Sequence, residues 1–311
     1  MDLIEQATTI LRRGGLVAFP TETVYGLGAD ATNNDAVARI FKAKGRPPTN
    51  PLIVHVATVA VARRYATTWP AIAEQLASRF WPGPLTLVLP KAKSIAPAAT
   101  AGRDSVGLRM PNHPLALAML AGFDGPVAAP SANRSNHISP TQASHVRQEL
   151  GDDVDLILDG GPCDIGIEST VLDLTQTRPR ILRPGGVSRA QIESIAGPVE
   201  MFEGTTNAAV AAASPGQHER HYSPRTPAYR LSAPGGIPAS GATLVIGLRY
   251  YVQRPIRIEM PNDPIEYAKH LYTALREMDD WQVERIYVQM PPADPAWTAV
   301  RDRLMRATRA T

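Results

Sequence analysis

One cysteine, Cys163, stands in 311 residues. That excludes an internal disulfide and any cysteine-based zinc cluster. Charged residues make up only 20% and the formal net charge is +3, too small a surplus to announce a nucleic-acid binder, although an isoelectric point of about 9.1 keeps one open. Aromatics are 6% of the chain, and no stretch interleaves them with basic residues as a base-stacking platform would. No run approaches the roughly eighteen apolar residues of a membrane span, and MDLIEQATTILRRGG carries acids where a signal peptide is apolar. A soluble, cytoplasmic protein with no membrane partner is expected. Also missing are a GxxxxGK[ST] phosphate loop, a GxGxxG helix opening and a GxSxG nucleophile turn. Without a nucleophile turn or a Ser-His-Asp grouping, a serine hydrolase has nothing to work with.

What the chain does have is many short apolar runs, most of them bounded by Gly or Pro. LVAFP, PLIVHV, PGPLTLVLP, SVGLRMP, PVAAPSAN, DLILDGG, STVLDL and PRILRPGG read as strands. Helical spacing marks residues 3–11, a segment capped by Asn33 to Asp35 that ends near Gly45, and most of residues 60–77. Strands with helices between them predict a twisted, mixed α/β sheet. After Met201 the chain turns rich in Ala, Ser, Pro and Thr, as an extended linker would. Beyond it the pattern restarts with TLVIG, a helix near residues 264–278, RIYVQM and a last helix near 296–309. The expected boundaries are 1–203 for the larger domain, 204–229 for the linker and 230–311 for a small α/β domain.

The polar residues cluster where strands end. FKAKGRPPTNPLIVHV sets Lys42 and Lys44 in the last turn of a helix, where cations offset the dipole and Gly45 supplies the exit. Arg46, rigid between that glycine and two prolines, is not explained so simply. With Lys44 it suits an anion that must be held still. PTETVYGLG and APSANRSN follow strands and carry Thr21, Thr23, Tyr25, Ser131, Asn133 and Ser135. Arg109 lies inside an apolar strand and Arg183 at the end of one; each needs an anionic partner, from the protein or from a ligand. Together these loops resemble a pocket for a multiply charged small molecule. His55 fits a core histidine as well as a pocket wall, HxxH at His218 and His221 is a weak metal signal, and Cys163 fits a turn residue. No side chain stands out as an activated nucleophile, which favours chemistry by positioning and charge neutralisation.

In this order, LVAFPTETVYGLG, KAKGRPPTNPLIVHV, WPGPLTLVL, SVGLRMPNHP, APSANRSN, GIESTVLDL and ILRPGG resemble the YrdC-like domain of L-threonylcarbamoyladenylate synthases. RHYSP and the second α/β unit resemble that family's two-domain form. The resemblance implies a twisted open mixed sheet with a concave basic cavity, a Rossmann-like C-terminal domain, and a linker that closes over the cavity. It implies the reaction of L-threonine, bicarbonate or CO2, and ATP to threonylcarbamoyl-AMP and pyrophosphate, for threonylcarbamoyladenosine in tRNA, with the tRNA threonylcarbamoyl transferase machinery downstream. Lys44, Arg46, Ser131 and Asn133 would form a polar tetrad at the phosphates, Lys44 and Arg46 being catalytic. Asn50, Ser105, Ser139, Arg183 and Tyr222 would also contact ATP; Thr23, His55, Arg109, Ala129 and Ser169 would surround threonine. Mg²⁺ would come with ATP, and no protein-bound structural metal is expected.

The sequence departs from the family at His218 and Glu219, where an aromatic is expected before RHY, and at PADPAWTAVRDRLMRATRAT, which lacks a glycine-rich turn. A competing reading is a double-stranded RNA-binding module using the basic cavity, or weak RNA binding beside catalysis. Another is a carbamoyl transferase with a different acceptor, but larger proteins of that kind carry zinc fingers for which this chain has too few cysteines.

Overall fold

The computed structural model describes residues 2–202, 204, 221–231, 241–246 and 256–310. His218 and Glu219 lie outside the described residues. Ten strands make one mixed sheet, in the order Glu200–Met201, Arg180–Arg183, Thr170–Asp173, Leu85–Pro90, Ser105–Arg109, Ile53–His55, Val127–Ala128, Gly26–Asp30, Val17–Phe19 and Leu156–Ile157. The strands read as continuous apolar runs because both faces are covered. Ala18 faces one core with Leu27, Val54, Leu87 and Leu108. Its neighbours Val17 and Phe19 face another, against Leu11 and Met119. Strand alternation thus serves two cores at once.

Local chemistry sets the helix ends. Leu3–Arg12 opens on a capping box between Asp2 and Glu5. Asn34–Lys44 opens on Asn33, which accepts from the N–H groups of Asp35 and Ala36, and stops at Gly45 with φ +59°. The mostly helical stretch expected over residues 60–77 divides into two helices, Val59–Arg64 and Ala71–Phe80. Between them the backbone pairs elsewhere: Thr67 N–H donates to Pro90 O, and Pro70, which has no N–H, starts the second helix. The last helix is also shorter than expected, Thr298–Ala307 after a 3₁₀ turn at Pro295–Trp297. Arg309–Ala310 leaves it to pair with Tyr229 and Arg230.

The second sheet is parallel throughout its described strands: Arg257–Met260, Ala242–Ile246, Ile286–Gln289, Ala228–Leu231 and Arg309–Ala310. The strand Ala228–Leu231 begins inside the stretch whose composition reads as linker. The helix Pro264–Asp280 buries Tyr267, Leu271, Tyr272 and Leu275 in this unit's core. That core also takes in Val24, Ile138 and Ile167 from the larger part. One apolar cluster therefore spans both parts.

Register places the polar loops. His55 pairs across the sheet with Arg109 on one side and Val127 on the other. The Ala129 N–H donates to Ile53 O, which brings the APSAN loop over the same strand ends.

Candidate functional site

A cavity at these strand ends is lined by Arg46, His55, Arg109, Ala129, Ser131, Ser169, Arg183 and Tyr222, all expected from the sequence, and by Thr21, Glu168 and His221. Three elements supply its arginines. Arg46 follows the left-handed turn at Gly45, Arg109 ends the strand Ser105–Arg109, and Arg183 ends Arg180–Arg183. Their exposures are 7%, 4% and 4%, so none is solvated as a surface charge would be.

Arg46 Nη2 donates to Pro51 O at 3.3 Å, while its Nε is buried with no partner. Burial pulls its guanidinium down to about 10, and nearby Arg183 acts in the same direction. Lys44 lies beneath the cavity wall. Its ammonium donates to the backbone carbonyls of Ser131, at 2.6 Å, and Asn133. Burial, then the charge of Arg46, hold it well below its ordinary value. Asn133 donates its own amide N–H groups to Arg134 O and His137 O, both at 2.8 Å. Lys44 and Asn133 therefore fix the loop that presents Ser131.

The threonine-type residues meet around Arg109. Its Nη2 donates to Thr23 Oγ1 at 2.9 Å and to Glu22 Oε1 at 2.8 Å, and its Nε reaches Gly83 O at 3.3 Å. Glu22 Oε2 accepts the Asn112 N–H. Of the two anionic partners open to Arg109, protein or ligand, the structure supplies one from the protein, on one prong of the guanidinium fork. Glu22 and Thr23 take both Nη2 hydrogens, so a protein carboxylate fills that half of the fork. His55 is neutral: burial, reinforced by Arg109, pulls it down to about 3. Ser169 Oγ lies 2.8 Å from Thr86 Oγ1, and Arg183 Nη2 donates to Ser169 O at 2.9 Å.

Ser139 reaches the cavity only through a carboxylate, donating from Oγ to Glu168 Oε1 at 2.6 Å. Ser105 lies apart, in a neighbouring cleft with Pro51, Thr86 and Arg103. Asn50 is buried on the turn that leads to Pro51. Glu22, Glu168 and His221 were missed as site residues, although TET, IEST and RHY were in view. Each acid sits in a motif whose neighbouring Thr or Ser drew attention, and a carboxylate in an apolar segment was the available signal.

Ten buried side-chain polar atoms lack a hydrogen-bond partner among the described residues. Four belong to cavity-lining residues: Arg46 Nε, His55 Nδ1, His221 Nδ1 and Tyr222 OH. Asn133 Oδ1, on the loop that follows Ser131, is a fifth. Each such group costs about 1–3 kcal/mol while unpaired, and five of the ten gather at this one place, where a polar ligand could pair them.

Three buried arginines and several unpaired polar atoms thus meet at the strand ends of a mixed α/β sheet, an arrangement whose charge suits an anionic small molecule. The sequence matches the Telomere recombination family (Sua5/YciO/YrdC) over residues 9–185, and the threonylcarbamoyl-AMP synthase C-terminal domain over residues 187–308. The chain belongs to this family, in its two-domain form. It is 41% identical to a threonylcarbamoyl-AMP synthase of Bacillus subtilis, across 98% of this chain and 92% of that one. It is 40% identical to that of Pyrococcus abyssi, across 98% and 94%. The crystal structure of P. abyssi Sua5 complexed with L-threonine superposes with a TM-score of 0.89 at 37% identity, covering 99% of this chain and 96% of that one.

Proposed function

We propose that the protein is a threonylcarbamoyl-AMP synthase, which joins L-threonine, bicarbonate or CO2, and ATP with release of pyrophosphate. The observation that carries this reading is the meeting of Arg46, Arg109 and Arg183 with unpaired polar atoms in one cavity. Arg46 and Arg183 would face the triphosphate, with Lys44 and Asn133 holding Ser131 in place, and Ser139, Asn50, Ser105 and Tyr222 around the rest of the nucleotide. Thr23, His55, Ala129 and Ser169 would surround threonine, and Arg109 would meet its carboxylate through Nη1. We assign residues 1–203 to catalysis, 204–229 to a linker over the cavity and 230–311 to the small domain.

The chemistry balances without an activated side chain. The threonine amine adds to CO2 and loses a proton to solvent, giving a carbamate. A carbamate oxygen then attacks the α-phosphorus in line, the bond to the β-phosphate bridging oxygen breaks, and pyrophosphate leaves. Charge from Arg46, Lys44 and Arg183 offsets the leaving group. Enclosure protects the mixed anhydride from water. Mg²⁺ would arrive on the nucleotide, which supplies oxygen ligands together with water. Among the described residues no cluster of three His, Cys, Asp or Glu side chains is placed to hold an ion. The product would pass, in the cytoplasm, to the tRNA-modifying transferase. A duplex RNA would find the arginines poorly placed, since at 4–7% exposure they are beyond the reach of a phosphate backbone. Purified protein given MgATP, bicarbonate and threonine should release pyrophosphate and form threonylcarbamoyl-AMP detectable by mass spectrometry. Pyrophosphate release indifferent to threonine would overturn the assignment.

A further inference from the structure

The small domain sends two side chains into the larger one, and both end on the same carboxylate. Arg303, on the helix Thr298–Ala307, is completely buried and donates from Nε to Glu168 Oε2 at 2.7 Å. Tyr272, on Pro264–Asp280, donates its hydroxyl to Glu168 at 3.0 Å. Gly166 makes this approach possible. A Cβ there would fall 2.6 Å from Ala268 O and from Lys269 Cα, so the GIEST segment meets the helix backbone directly. Arg303 also lies 5.1 Å over the Tyr222 ring, and its Nη2 is buried without a partner.

Glu168 lines the cavity beside Arg183. Its carboxyl is held below its usual range, against the opposing effect of burial, first by Arg303 and next by Arg183. It is therefore a full negative charge at the wall of a site assigned to a triphosphate. Left uncompensated, it would repel the nucleotide.

We propose that Arg303 is a positioning residue for ATP, supplied by the small domain. It neutralises Glu168 and holds it against Ser139, so the cavity wall turns no uncompensated negative charge toward the nucleotide. This gives the small domain a part in the reaction although its sheet does not line the cavity. The inference rests on the synthase reading for its kinetic arm, and on MgATP binding alone for its second arm.

The test is a charge-suppression series in the full-length protein: Arg303→Met, Arg303→Lys, Glu168→Gln, and Arg303→Met combined with Glu168→Gln. Threonine-dependent pyrophosphate release is measured together with the thermal shift given by MgATP alone. Arg303→Met should raise KM for ATP tenfold or more, shift KM for threonine less than twofold, and shrink the MgATP-induced shift. Arg303→Lys should stay within about threefold of the parent. Adding Glu168→Gln to Arg303→Met should restore most of the ATP affinity, because the repelling charge is gone. A merely structural role predicts that the double variant is no better than Arg303→Met, and that result overturns the proposal. So does an Arg303→Met protein whose KM for ATP, or whose MgATP shift, matches the parent. Should the parent protein fail to release pyrophosphate, the synthase reading falls while the MgATP shifts still decide the role of Arg303.

Discussion

Arg109 Nη2 lies 2.8 Å from Glu22 Oε1, with the two side chains only 4% and 5% exposed. A guanidinium beside a proposed threonine site is thus already paired with an acid 87 residues away in the chain. The pair leaves the site close to neutral before threonine arrives, so an amino acid carboxylate meets one free prong of Arg109 instead of a full buried cation.

Removing the acid exposes this arrangement. Glu22→Gln keeps the shape but strands the Arg109 charge, and stability in urea should fall by about 3 kcal/mol. Threonine would then supply the missing anion. Its stabilising effect on the variant should exceed that on the parent, read as the difference in unfolding midpoint with and without 10 mM-scale threonine. An equal gain in both proteins would remove Arg109 from the threonine site.

Arg46 should show the opposite balance. No ion pair reaches it among the described residues, its Nε is unpaired, and burial lowers its pKa to about 10. Arg46→Gln removes a buried charge that the free protein struggles to hold. The urea midpoint should stay level or rise, while kcat/KM for ATP falls by roughly 10² or more. Loss of stability together with activity would mean that Arg46 serves the fold instead.

Acid should weaken the fold through its neutral histidines. Burial, with Arg276 adding to it against the opposing charge of Glu149, holds His145 at about 4, from an ordinary 6.5. A base depressed in the folded state leaves stability complete above pH 6.5 and lost as pH falls toward 4, by up to about 1.4 kcal/mol per pH unit. His55, at about 3, acts in the same direction. In His145→Gln the slope of unfolding free energy between pH 6.5 and 4 should be shallower by about one proton. A slope equal to the parent's would show that His145 does not titrate this way.

The strands that carry the cavity were legible because SVGLRMP and PLIVHV are short apolar runs bounded on one side by proline. The buried cations were legible because Arg46 and Arg109 had no reason to sit where they do on a surface. The break at residues 65–70 was less so, since Tyr65, Ala66 and Trp69 continue the apolar spacing; backbone pairing of Tyr65 with Ala92 and of Thr67 with Pro90 ends the first helix before Pro70 starts the second. Arg257–Met260 was missed because its exposed and partly buried side chains look like an edge of a polar loop. Arg303 was invisible for another reason. RDRLMRATR reads as an ordinary charged helix face, and its partner Glu168 is 135 residues away in the chain. Pairings at that separation are written in the docking of two domains, not in local pattern.

Tyr222 separates nucleotide contact from packing. Its ring stacks 5.8 Å from Tyr272 and under Arg303, yet its hydroxyl is buried with no partner, at a backbone φ of +60° that a non-glycine residue rarely adopts. Tyr222→Phe keeps the stacking and deletes only the unpaired hydroxyl, whose burial costs about 1–3 kcal/mol. The melting temperature should therefore hold or rise. If the hydroxyl waits for the nucleotide, KM for ATP should rise severalfold in the same variant, with threonine affinity unchanged. Tyr222→Ala, by contrast, should cost about 3 kcal/mol through lost ring packing. A Phe variant with parental ATP kinetics would leave the ring as the reason for this tyrosine and would take Tyr222 out of the ATP site.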